Sequence, residues 1–374
     1  MSRPMTSIVE QRPMMQQRCI FIIARGGEAV GTSGQLAIAA RGFFSRGWDV
    51  HVAVLSAGGG LIDRLIDAGV IVHAVGNRCQ PDMAAWLRLA SLLRRHNPNI
   101  VQTWGSTAAR WGLSAAHIAG RAKTVACLAV EPRTREPLMP LLQRASRVVV
   151  CSDSLKESWL TRGLGSNRVI VVPPGISAGL AMQVPREDVA RELGLLVDRP
   201  WTLCVAPLES NSRIEAWLWA VDQLDVVCPG IEHVIVGNGP LKNKLRRWAK
   251  IQNIDARVHA RTECRHVTAL LPHLRLVWQA GNVAYGGAIL DAMAEGVPAV
   301  AVDSPAARQL IADNQTGRIV TARPASELPR RSLEVIESDD CFNRYSIASR
   351  ERVEKNFPIH LFEASHESII EQLL

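Results

Sequence analysis

No apolar run in this 374-residue chain approaches the roughly 20 residues that a membrane-spanning helix needs. The longest runs, Val148-Val149-Val150-Cys151 and Val169-Ile170-Val171-Val172, have strand length. The first 17 residues lack the apolar core of a signal peptide; rich in Met, Gln, Arg and Pro, they are expected to form a disordered tail. The eight cysteines, at 19, 79, 127, 151, 204, 228, 264 and 341, include no CxxC pair. That spacing argues against a structural zinc site and for reduced, mostly buried thiols in a cytoplasmic protein. The first glycine loop reads Gly31-Thr32-Ser33-Gly34 rather than GxGxxG, and no acid ends the strand expected over 50–55, so a dinucleotide oxidoreductase is disfavoured. No recognition motif accompanies the basic charge, which speaks against nucleic acid.

What is present suits a two-domain globular protein: 47% hydrophobic residues, 21% charged, and a net charge of +8. The densest basic segment is 242–250, with Lys242, Lys244, Arg246, Arg247 and Lys250 around Trp248. At helical spacing it reads either as a solvated face or as a peripheral contact with an anionic bilayer on the inner face of the membrane.

Apolar strand-length runs alternate with amphipathic segments throughout, the pattern of doubly wound α/β sheets. Strands are expected over 19–24, 50–55, 70–75, 100–103, 124–129, 147–151 and 168–172, with helices over 35–44, 61–68, 83–95, 107–118 and 155–162. Proline and glycine then interrupt the periodicity, and 176–186 reads as a linker. A second alternation places strands over 202–206, 233–236, 256–260, 274–278, 298–302 and 317–320. Helices are expected between them over 213–224, 241–252, 267–271, 287–294 and 306–312, and at the end over 346–356 and 362–374. The implied domains are 18–175 and 187–345, with helices in 346–374 packing back toward the first domain. Two Rossmann-like halves would face a central cleft, where ligands of open α/β sheets bind.

The richest segment is 286–300, beginning Gly286-Gly287-Ala288-Ile289-Leu290-Asp291 and continuing through Gly296-Val297-Pro298. It reads as a glycine-opened helix, a glycine stop and a new strand. Glycines at a helix start leave backbone N–H groups open to a phosphate. This segment resembles the donor-binding helix of family 4 glycosyltransferases, retaining nucleotide-sugar enzymes of the GT-B fold. The resemblance extends over nearly the whole chain. It includes Gly31-Thr32-Ser33-Gly34-Gln35-Leu36, Pro98-Asn99-Ile100-Val101-Gln102-Thr103-Trp104, Val171-Val172-Pro173-Pro174-Gly175, Val236-Gly237-Asn238-Gly239-Pro240 and Asn314-Gln315-Thr316-Gly317.

The resemblance implies a nucleotide-diphosphate sugar as donor, a glycan, lipid or small-molecule acceptor, transfer with retention, and neither cofactor nor metal. It places Gly31, Gly34, Gly237, Gly286, Gly287 and Asp291 at the donor, and Ser33, Trp104 and Glu131 on the acceptor side; Arg213, one position past the family's lysine, is the cation that could swing in to the donor. Arg213 and Asp291 are the catalytic candidates. Each has a plainer alternative: Asp291 as a helix acid favoured by the dipole, Arg213 as an exposed first-turn residue, Gly31, Gly34 and Gly237 as loop geometry, Trp104 as core. His259 and His266 read as structural or exposed.

The chain departs from the family where charge is needed. Pro207 and Ser212 stand at the family's Arg and Lys, Val283 at the first of its two glutamates, and the run 129–133, containing Glu131 and Arg133, replaces its strand-end histidine. An alternative function is therefore a catalytically impaired homologue that binds a nucleotide sugar or a partner. A nucleotide-sugar epimerase of the same fold would need acids in both domains that the sequence does not place.

Overall fold

The computed structural model describes residues 19–24, 30–56, 60–76, 81–133, 136–176, 179, 183–262, 264 and 267–374. The expected tail over 1–17, Cys79 and His266 lie outside these residues.

The first domain is built on seven strands: β1 (Cys19–Ala24), β2 (Asp49–Val54), β3 (Ile71–Ala74), β4 (Ile100–Trp104), β5 (Lys123–Leu128), β6 (Arg147–Val150) and β7 (Val169–Val171). They form one sheet in the order β3-β2-β1-β4-β5-β6-β7, with every pairing parallel. Because crossover helices cover both faces of a parallel sheet, its central strands must be apolar on both sides. β1 and β4 are accordingly buried almost end to end. The helices are α1 (Gly31–Ser45), α2 (Leu61–Asp67), α3 (Met83–His96), α4 (Ser106–Ala119), α5 (Met139–Leu142) and α6 (Asp153–Thr161). Ser152 caps α6 through the Leu155 N–H at 3.2 Å.

Helix α7 (Arg186–Leu193) opens the second domain, where the sequence reading placed no helix. Strands β8 (Trp201–Val205), β9 (Glu232–Val236), β10 (Val258–Arg261), β11 (Leu276–Gln279), β12 (Ala299–Val302) and β13 (Gly317–Val320) make a sheet in the order β10-β9-β8-β11-β12-β13, again parallel. Its helices are α8 (Ile214–Val227), α9 (Lys242–Ile251), α10 (Val267–Leu270), α11 (Ile289–Ala294) and α12 (Pro305–Leu310). Three more follow: α13 (Glu327–Glu337), α14 (Asp339–Asn356) and α15 (Ile359–Glu371). Helix α13 was not foreseen. Pro329 interrupts its sequence pattern but falls in the first turn, where a missing N–H breaks no helical hydrogen bond.

Both sheets reverse strand order beside their first strand, at β1/β4 and β8/β11, and ligands of such sheets bind outside the carboxyl ends of the strands at those points. The two Rossmann-like halves are the GT-B architecture. The last helices serve both domains: α14 packs on α11 and α15 on α1. Where the chain passes between domains, the Gln35 side-chain amide makes two 2.9 Å hydrogen bonds with the Gly175 backbone.

One expected element differs at the site itself. Helix α11 begins at Ile289, not at Gly287. Gly286 and Gly287 have φ of +67° and +61°, a left-handed backbone that cannot continue a right-handed helix. They form a sharp entry after a 3-10 turn at Ala284–Gly286.

Candidate active site

The two glycine elements meet across the domain boundary. A Cβ on Gly31 would stand 2.5 Å from the Gly287 carbonyl oxygen, so the backbones touch at a distance no side chain permits. A Cβ on Gly287 would fall 2.4 Å from the Val205 carbonyl oxygen and 2.5 Å from Gln279 Nε2. The Gln279 amide in turn donates to that same carbonyl at 2.8 Å. The Gly287 loop is thus clamped to the end of β8 on one side and to the start of α1 on the other.

Asp291 projects from the first turn of α11 and is only 6% exposed. Its carboxylate accepts the Gly31 N–H at 3.1 Å. Helix N-termini present unsatisfied N–H groups and a positive dipole end to anions, and at α1 the protein's own carboxylate takes that place. Burial pushes the Asp291 carboxyl up to about 6, an effect partly offset by the Gly31 N–H and by the nearby Arg64 guanidinium. Burial likewise draws Arg64, on α2, below its ordinary range, opposed by the Asp291 charge. Arg64 was missed in the sequence because α2 carries no family motif; only the fold brings it to Asp291.

Arg213 lies in the short connection between β8 and α8, after the 3-10 turn Ser210–Ser212. Its φ is +51°, a conformation costing roughly 1–2 kcal/mol for a residue with a Cβ. It is half-buried, and no hydrogen bond or ion pair engages its guanidinium among the described residues. Ser212 is buried, and its Oγ has no partner among the described residues. Val283 is 7% exposed and packs in the core of the second domain, so it presents no polar group to a sugar. The backbone around Gly237 packs against the Ala206 carbonyl, where a Cβ would lie 1.9 Å from the oxygen. Close packing of loop on loop accounts for that glycine.

Ser33 is half-buried and Gly34 buried, both in the first turn of α1. Trp104 ends β4 and is 2% exposed. Its ring lies 6.3 Å from Tyr285, 6.3 Å from Phe362 and 5.3 Å from His366. It is therefore part of the packing that joins both domains to α15. Tyr285, in the Gly286 loop, also has a strained φ of +51° and belongs to the core of the first domain. Burial carries its phenol well above the ordinary range. Glu131 is exposed on the loop after β5, as is Arg133. The structure thus brings Gly31, Gly287 and Asp291 into contact, with Gly286 beside them in the chain, while Glu131 is exposed. His259, read as structural or exposed, pairs with the buried Glu232 carboxylate.

Comparison with known families covers both halves of the chain. The model described as Glycosyltransferase Family 4 matches residues 35–179, and that described as Glycosyl transferases group 1 matches residues 185–356. The chain belongs to the GT-B glycosyltransferases. Among curated proteins, this glycosyltransferase-family chain is similar to the phosphatidyl-myo-inositol mannosyltransferase of Mycolicibacterium smegmatis, 26% identical over 227 residues, which is 58% of this chain and 55% of that protein. The match therefore spans about half the length of that relative. Among solved structures, HepE of Anabaena, crystallised with UDP and glucose, superposes with a TM-score of 0.76 at 18% identity over 95% of this chain and all of that one. Sucrose-phosphate synthase of Thermosynechococcus elongatus does so with a TM-score of 0.72 at 16% identity, over 96% and 99% of the two chains. At these identities the superpositions establish the fold.

Proposed function

We propose that this protein transfers a sugar, with retention, from a nucleotide-diphosphate-sugar donor to a glycan, lipid or small-molecule acceptor. The observation that carries the reading is Arg213: a half-buried guanidinium, unengaged among the described residues, on a strained backbone beside the β8 end. Strain of this kind persists where the surrounding fold imposes it and clusters at ligand sites. The leaving diphosphate gains charge in the transition state and needs a cation there. Arg213 supplies it in this reading, with Arg64 as a second. Gly31 and Gly287 admit the phosphates close to the backbone, and Asp291, released from Gly31, accepts ribose hydroxyls. The solved neighbour that binds UDP-glucose supports the donor class. The basic face of α9, with Arg246, Arg247 and Lys250 exposed, suits peripheral contact with an anionic membrane, which would bring a lipid acceptor to the cleft.

A second reading, a catalytically impaired homologue that retains donor binding, is favoured by Val283 in the core and by Pro207 and Ser212 at the family's cation positions. The test is a thermal-shift titration with UDP, GDP, ADP and their sugars, followed by a donor-hydrolysis and transfer assay. Stabilisation by one nucleotide with turnover supports transfer, and stabilisation without turnover supports the second reading. No shift with any nucleotide overturns both.

A further inference from the structure

We infer that the first domain carries a site for a zinc-class divalent metal, formed by His51, His73 and His96 at the end of the sheet opposite the cleft. In the register of the parallel sheet, Phe21 of β1 pairs with His51 of β2, which pairs with Ile71 of β3. Side chains alternate faces along a strand, so His73, two residues beyond Ile71, shares the face of His51. Helix α3 lies over that face and ends there in His96, closed by Asn97 with φ of +42°.

The three rings converge. Their centroids are 5.1 Å apart for His51 and His73, 4.6 Å for His51 and His96, and 5.6 Å for His73 and His96. One ring nitrogen from each falls within 4.8 Å of the others. His51 Nδ1 and His73 Nε2 are 2.8 Å apart, the spacing of a hydrogen bond. Two nitrogens on one tetrahedral zinc, each bound at ~2.0–2.1 Å, stand roughly 3.3 Å apart. The pair therefore opens by about half an ångström to exchange a shared proton for a metal.

The surroundings orient the ligands. His51 Nε2 lies 3.3 Å from the Asp49 carboxylate. An N–H donated to Asp49 leaves the Nδ1 lone pair facing His73. This carboxylate–histidine arrangement is the one that fixes tautomer and ring direction at metal sites. Phe21 stacks on the His51 ring at 4.7 Å with an interplanar angle of 5° and holds its plane. Neutral imidazoles suit zinc, copper and nickel rather than magnesium or calcium. The site would clamp together β2, the edge strand β3 and the end of α3, and so stabilise the first domain without entering the sugar chemistry.

The test uses the full chain without an affinity tag, stripped with chelator and titrated with cobalt(II), then with zinc. The expected result is about one equivalent of cobalt, visible d–d absorption, displacement by zinc and a rise in Tm. His73→Ala and His96→Ala should each weaken binding ~100-fold, with folding checked by circular dichroism, while His117→Ala, outside the cluster, should bind as wild type. Failure of the folded wild-type chain to take up cobalt at micromolar concentration, or equal uptake by the His73 and His96 variants, would overturn the site.

Discussion

The Asp291 carboxylate of the second domain accepts the backbone N–H of Gly31, the first residue of α1 in the first domain, at 3.1 Å. A side chain expected to contact the donor is thus occupied by the partner domain. A phosphate bound at the start of α1 and the Asp291 carboxylate compete for the same N–H. In the proposed donor site, a phosphate reaching this N–H therefore has to displace the Asp291 carboxylate.

Gly31→Ala should separate the domains. The added Cβ meets the Gly287 carbonyl at 2.5 Å on a backbone with φ of +56°, combining a clash with a left-handed cost of roughly 1–2 kcal/mol. A lower Tm together with a larger radius of gyration in solution scattering is the expected result. An unchanged radius would show that the contact does not hold the domains together.

Asp291 should make stability depend on pH between its unfolded and folded titrations. Its pKa rises from 3.8 to about 6 on folding, chiefly by burial, so the folded state binds the proton more tightly. The stabilisation is fully present below pH ~3.8 and is lost as pH rises through ~6. Asp291→Asn removes the titration. The stability of wild type relative to this variant should therefore fall between pH 5 and pH 7, measured by urea unfolding at each pH, and a flat difference would contradict the assignment.

The buried histidines act in the opposite sense. Burial lowers His233 and His366 to about 3, so each is neutral when folded and takes up a proton on unfolding below pH ~6.5. Their contribution is present above that value and is lost as pH falls toward 3. His366→Gln should shallow the acid branch of the stability profile, even if the variant is less stable at pH 7.

Arg213 separates stability from activity. Arg213→Gly relieves a left-handed backbone and should leave Tm unchanged or raise it by a few degrees. The same substitution should lower sugar transfer ~100-fold or more by removing a cation from the leaving diphosphate. Full activity in Arg213→Gly would remove this arginine from the chemistry.

The fold was legible in the chain because parallel strands buried on both faces leave continuous apolar runs, such as 19–24 and 148–151, separated by turn residues. The meeting of glycine elements was half legible. Gly31, Gly286, Gly287 and Asp291 stand out as residue types suited to phosphate and hydroxyl groups, but nothing local shows that the two segments touch. Arg64, Tyr285 and the three histidines were invisible for one reason. Each lies in an ordinary segment and gains its meaning from residues far away in the chain, through sheet register or domain contact. His51, His73 and His96 follow no local motif and converge only through the packing of α3 on β2 and β3. The sequence alone determined two doubly wound α/β domains and the elements that face the cleft, because hydrophobic periodicity and glycine placement are local properties. The tertiary structure alone decided which charges meet, which aromatic rings seal the domains and where histidines gather, because those depend on distances between segments that no local pattern encodes.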